Sequence, residues 1–173
     1  MTKDTKILAG VLVFSLFLIV GFAVWQGGKE SPAKEVTATT SSVDIKDLEV
    51  TPASYNIGTI KMKDGNVVKT YEVKNTSAET MKLQRIATSC MCTKTKIKIG
   101  DKETREFGME GMGDKNPPIN LELPSGQTAT VTAIFDPAAH GPKGVGSFDR
   151  TVFLYFSNPS GTKELKFNGT VVN

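Results

Sequence analysis

From Leu48 to Val172 the apolar residues fall at every second position in short runs separated by turn residues, and no stretch holds a period of 3.6 over three turns. A chain patterned this way builds sheets. The runs are Leu48 to Thr51, Tyr55 to Ile60 beyond Pro52, Val67 to Lys74, Met81 to Ile86, Lys94 to Ile99, Thr128 to Phe135, Phe148 to Ser157 and Thr162 to Val172. The first two are expected to form one edge together. Alternation places Tyr71 and Val73 inward, Met81, Leu83 and Arg85 on the face opposite Lys82, Gln84 and Ile86, and Ala129, Val131, Ala133 and Phe135 on one side. Leu165, Phe167 and Val171 point inward in the last run, and Phe148 to Ser157 is apolar on both faces, as near the middle of a sheet. Seven or eight such strands predict an all-β fold, a β-sandwich more readily than a closed barrel.

Two stretches break the rhythm. Lys94, Lys96 and Lys98 alternate with Thr95, Ile97 and Ile99, the pattern of an edge strand whose ammonium groups block sheet-to-sheet pairing. The segment from about 100 to 123 is longer than an ordinary connection and is rich in Gly and Met, which marks it as a functional or disordered insertion.

Ahead of the β domain, Ile7 to Trp25 is 19 residues without a charge. At about 1.5 Å per residue such a helix covers roughly 28 Å, enough for a bilayer core. Lys3 and Lys6 precede it, so residues 1–6 are expected in the cytoplasm and everything after Trp25 outside. The rival reading, a cleaved signal peptide, lacks a small-residue site beyond the apolar run, since Gly21-Phe22-Ala23 lies inside it. Residues 26–43 are polar and aperiodic, a flexible tether, and residues 44–173 are the folded domain. The expected location is therefore the cytoplasmic membrane, single-pass, with the domain on the periplasmic or extracellular side. Beyond the apolar segment 19 basic residues face 17 acidic ones, scattered instead of striped, which excludes a nucleic-acid partner.

The chemistry-bearing candidates are few. Cys90 and Cys92, the only cysteines, are separated by Met91, and His140 is the only histidine. In an extended segment both thiols would lie on one side with Cα atoms near 7 Å apart, so a disulfide needs a local bend. A bridge over one intervening residue closes a small ring and is readily reduced. The alternative is a soft-metal site: Cys90, Cys92, Met109, Met112 and His140, with Met91 as a further thioether, are donor types that suit copper(I). A second cysteine pair for a closed zinc site is lacking. A bland reading stands beside both, with the methionines filling gaps and His140 a loop residue. A Cys-His nucleophile has no orienting third residue, and no βαβ pattern surrounds the cysteines as in a thioredoxin. Asn75-Thr76-Ser77 and Asn168-Gly169-Thr170 fit the glycosylation pattern but read better as turn and strand-end chemistry.

Tyr55-Asn56-Ile57-Gly58-Thr59-Ile60, Tyr71-Glu72-Val73-Lys74-Asn75-Thr76, Thr88-Ser89-Cys90-Met91-Cys92-Thr93, Pro124-Ser125-Gly126-Gln127, Phe135-Asp136-Pro137 and Ser157-Asn158 follow one another as blocks. In that order, across residues 48 to 172, they resemble a bacterial domain-of-unknown-function family, number fifteen-seventy-three, related to Hydin-like and major-sperm-protein-like domains. The resemblance implies an immunoglobulin-like sandwich, exported or membrane-anchored, with no settled activity. Two features depart from the common form: Met91 stands where the family usually has Gly, and the Met-bearing insertion with Ala139-His140-Gly141-Pro142 belongs to a subset. The combined expectation is a non-enzymatic binding or scaffolding module that needs no cofactor and has a protein partner. A copper(I) domain and a thiol redox partner are the alternatives.

Overall fold

A computed structural model of the protein describes residues 43–173. The cytoplasmic segment 1–6, the transmembrane anchor 7–25 and nearly all of the tether expected over 26–43 lie outside the described residues. Among the described residues no helix is long and apolar enough to cross a membrane.

The domain is two five-stranded sheets. One is ordered β1 (Leu48–Thr51), β3 (Val67–Asn75), β8 (Thr128–Phe135), β5 (Thr93–Ile99) and β6 (Lys102–Glu103). The other is ordered β2 (Ser54–Lys61), β10 (Ser160–Val172), β9 (Gly146–Asn158), β4 (Met81–Thr88) and β7 (Leu121–Leu123). All pairings are antiparallel except that β2 runs parallel to β10. With β1-β3-β8-β5 on one side and β4-β9-β10 on the other, the strands follow the immunoglobulin order of a four-stranded sheet packed on a three-stranded one. The ten strands exceed the seven or eight expected because β6 and β7 are short pieces within the insertion.

Alternation fills the core as the pattern required. Tyr71, Val73, Ala129 and Val131 from one sheet meet Val152, Leu154, Leu165 and Phe167 from the other, all buried. Each large apolar side chain so placed contributes about 1.5–3 kcal/mol relative to exposure. Tyr71 also ties the layers, its hydroxyl donating to the Lys166 carbonyl at 2.8 Å. Burial holds that phenol well above its ordinary pKa, with Tyr55 adding to the shift.

Three local readings are corrected. The runs before and after Pro52 do not share an edge: β1 closes one sheet and β2 the other, because the chain changes sheets between them. In β4 the register against β9 slips between Leu83 and Arg85, so Gln84 is an extra residue and Ile86 turns inward, fully buried. Arg85 then lies outside, its guanidinium 4.2 Å from the Tyr155 ring centre, so the outer face of central strand β9 is half-covered.

The lysine strand is the third. β5 carries Thr93, Thr95, Ile97 and Ile99 inward as expected, but its edge is not left to repulsion. Thr95 and Phe107 exchange backbone hydrogen bonds at 2.8 and 2.7 Å, Ile97 accepts from the Thr104 amide, and Lys96 pairs with Glu103 at 2.9 Å. The insertion thus lies along β5, then crosses to the second sheet, where β7 pairs with β4. It is ordered by Asp114, whose carboxylate accepts from the Gly108 and Asn116 amides at 2.8 and 3.1 Å and from Arg105 at 3.0 Å. Arg105 and these amides hold Asp114 below the ordinary carboxylate range.

Candidate functional site

The link from β4 to β5 carries the chain from one sheet to the other, and Cys90 and Cys92 sit in it. Strand geometry ends at Thr88 and resumes at Thr93. The Thr93 amide donates to the Cys90 carbonyl at 3.1 Å, closing a turn, and the Thr88 hydroxyl lies 3.0 Å from the carbonyls of both Cys90 and Thr93. Ser89 is held to β9 from both sides, donating its amide to Thr151 and accepting the Thr151 amide on its hydroxyl, each at 2.9 Å. The turn brings the cysteine Cα atoms to 5.2 Å, within disulfide range, and the sulfurs are bonded. The bend that an extended segment lacks is supplied by the crossover.

Beneath the turn lies an aromatic layer. Phe135, paired with Thr93 across β8 and β5, stacks on Phe148 with centroids 4.5 Å apart, and Phe167 meets both edge-on. Cys92 packs into this core at 2% exposure, while Cys90 is half-buried and Met91 exposed.

His140 arrives from the β8–β9 connection. The Asp136 amide donates to the Cys92 carbonyl at 2.8 Å, which fixes the end of β8 against the turn. Pro137 stops the strand, Gly141 adopts φ 58°, and a 3-10 turn over Gly141–Gly144 folds the loop back. The His140 imidazole consequently stands with Nε2 3.2 Å from Cys90 Sγ. The two sulfurs and the imidazole nitrogen all lie within 4.8 Å of one another.

A residue that sequence patterning did not single out completes the group. Arg150 of β9 directs Nε to Cys92 Sγ at 3.1 Å and is held by its Nη1–H donating to the Asp149 carbonyl at 2.8 Å. Burial pulls its guanidinium below the ordinary value, with Asp149 opposing. The adjacent charges Asp149 and Arg150, ahead of the apolar stretch Val152 to Phe156, were the available signal, but only the fold shows which loop Arg150 faces. Met109 and Met112 occupy a separate turn of the insertion, where the Met112 amide donates to the Met109 carbonyl at 3.4 Å; Met109 is half-buried and Met112 exposed. The Gly108 carbonyl accepts from the Thr88 amide, so this turn lies beside the end of β4. Met62 is a second residue that sequence reading passed over: its methyl and the His140 Cβ both approach Gly144, placing this thioether at the histidine loop.

Fold and site together define an immunoglobulin-type sandwich with a bonded cysteine pair at one sheet crossover, attended by an imidazole and a guanidinium. Residues 48–112, from β1 to the middle of the insertion, match the family described as "Protein of unknown function (DUF1573)". No curated protein matches the chain. Among solved structures it is similar to a protein of unknown function from Porphyromonas gingivalis W83 at 13% identity and TM-score 0.47, covering 71% of this chain and 46% of that one. It is also similar to a PapD-like domain of human CEP192 at 15% identity and TM-score 0.39, covering 73% of this chain and 86% of that one. A third is the N-terminal domain of the Streptococcus gordonii adhesin Sgo0707, at 18% identity and TM-score 0.32, covering 72% and 32%. The chain spans less than half the length of the Porphyromonas protein.

Proposed function

We propose that the protein is a non-catalytic binding module, held by residues 7–25 at the outer face of the cytoplasmic membrane, whose binding end is the loop cluster around Cys90, Cys92 and His140. The observation that carries this reading is the convergence of two sulfurs and one imidazole nitrogen within 4.8 Å at the β4–β5 crossover of a rigid sandwich, where His140 is exposed and Cys92 buried. Sheets supply the rigidity and the loops supply the chemistry. A protein partner is the ligand of the module as a whole.

The same convergence favours a second reading, that the reduced pair takes up copper(I). Two thiolates and an imidazole are the donors a soft monovalent ion prefers, and opening the disulfide is a prerequisite because a bonded sulfur pair offers no thiolate. Reduction adds two electrons and two protons, and binding releases the thiol protons. Met91, exposed between the cysteines, and Met62, Met109 and Met112 nearby in the fold are outer thioethers in this scheme. Titrating copper(I) into the full chain in detergent with the pair reduced, against a chromophoric chelator, tests it. One equivalent is expected, abolished by Cys90→Ser or Cys92→Ser and weakened by His140→Ala. Uptake unaffected by all three substitutions would remove copper from the proposal and leave the protein-binding module.

A further inference from the structure

The two sulfurs of the bonded pair have unlike surroundings, and the difference fixes which of them can be attacked. Cys90 is half-buried beside exposed His140, whereas Cys92 is 2% exposed and packed in the core. On the buried side the Arg150 guanidinium donates to Cys92 Sγ at 3.1 Å. We propose that Cys90–Cys92 is a thiol–disulfide exchange site of fixed polarity, with Cys90 the sulfur that accepts an incoming thiolate and Cys92 the sulfur that leaves. The partner is an exposed dithiol.

A thiolate of the partner attacks Cys90 Sγ, the Cys90–Cys92 bond breaks, and a mixed disulfide forms between the partner and Cys90. The bonding pair leaves on Cys92, whose new negative charge meets the guanidinium already hydrogen-bonded to it. The partner's second thiolate then attacks the partner's own sulfur in the mixed disulfide, forming the partner's disulfide and releasing Cys90 beside His140. Two electrons and two protons pass from the partner's dithiol to this pair. Run backwards, the same sequence oxidises the partner.

A structural staple is the competing role, and the topology argues against it. The bridge spans one intervening residue, so it adds little loop-closure constraint. The turn is independently held by Thr93 to Cys90, Thr88 to Thr93, Ser89 to Thr151 and Asp136 to Cys92. The bond can open while the sandwich stays closed, and the thiols remain placed to re-form it.

Thiol–disulfide exchange needs no metal, so the test is run with a chelator present. The full chain in detergent is incubated with excess reduced glutathione as the monothiol probe, quenched with acid, alkylated and mapped by tandem mass spectrometry. Glutathione is expected on Cys90 with the alkyl group on Cys92, in about tenfold excess over the reverse isomer. Arg150→Gln is expected to slow opening by dithiothreitol several-fold, and Arg150→Lys to restore part of the rate. Equal labelling of the two sulfurs, preference for Cys92, or opening only under denaturing conditions would overturn the assignment. Because the first measurement uses the unsubstituted protein, a variant that fails to fold leaves the test intact, and a failed copper titration leaves it untouched.

Discussion

Asn75 illustrates how much one side chain can fix. Its carboxamide is fully buried at the end of β3, donating to the Glu79 and Leu123 carbonyls at 2.8 and 2.9 Å and accepting from the amide and hydroxyl of Ser77 at 3.0 and 2.7 Å. It joins the β3–β4 turn to the end of β7. Replacing it with alanine orphans several buried groups, and Asn75→Ala is expected to cost about 2–4 kcal/mol in urea unfolding. A loss under about 1 kcal/mol would mean the turn holds without it. The same burial explains why the Asn75-Thr76-Ser77 pattern reads as a turn and not as a sugar acceptor. At this scale the sequence was most legible where register is constant: Tyr71, Val73, Ala129 and Val131 point inward as strict alternation requires. It failed at Ile86, because a bulge at Gln84 reverses the alternation and no residue type announces one.

At the scale of elements, the insertion changes meaning. Read as a string it is Gly- and Met-rich and without rhythm; folded, it is a strap that lies along β5, turns around Asp114 and ends as β7 on β4. Asp114 is the pivot, with a side chain only 12% exposed and a carboxyl held low first by Arg105, then by the Asn116 and Gly108 amides. A carboxyl whose folded pKa is depressed contributes stability that is fully present above its unfolded value of 3.8 and is lost as the pH falls through the lower folded value. The amide resonances of Gly108 and Asn116 are therefore expected to move together in acid with a midpoint below 3.8, and to lose that transition in Asp114→Asn. A midpoint above 3.8 would contradict the geometry. Composition could mark this segment as special but not show its path, since that depends on Phe107 reaching Thr95 and Leu121 reaching Leu83, contacts between runs with no local signature. The cysteine crossover was legible in part: the need for a bend followed from spacing alone, whereas the approach of Arg150 required the pairing of β4 with β9.

For the molecule as a whole, the decisive pattern is how the chain's first described stretch moves between layers. Asp44 bridges to Thr162 of β10, β1 then joins the opposite sheet beside β3, and β2 returns to run parallel to β10 from Ser54 beside Lys166 to Lys61 beside Val172. Which sheet each of these short runs joins is decided by partners far along the chain, so alternation could predict strands there but not their placement. One mechanical consequence follows from the parallel pair. Tension applied between residue 43 and Asn173 drags β2 and β10 in opposite senses along their length, so the rungs between them share the load, whereas handles at Ser147 and Thr170, neighbours at one end of the antiparallel β9–β10 ladder, peel that ladder rung by rung. Optical-trap extension should record a clearly higher rupture force for the first geometry than for the second, and equal forces would show that the split leading strand does not act as the clasp of the sandwich.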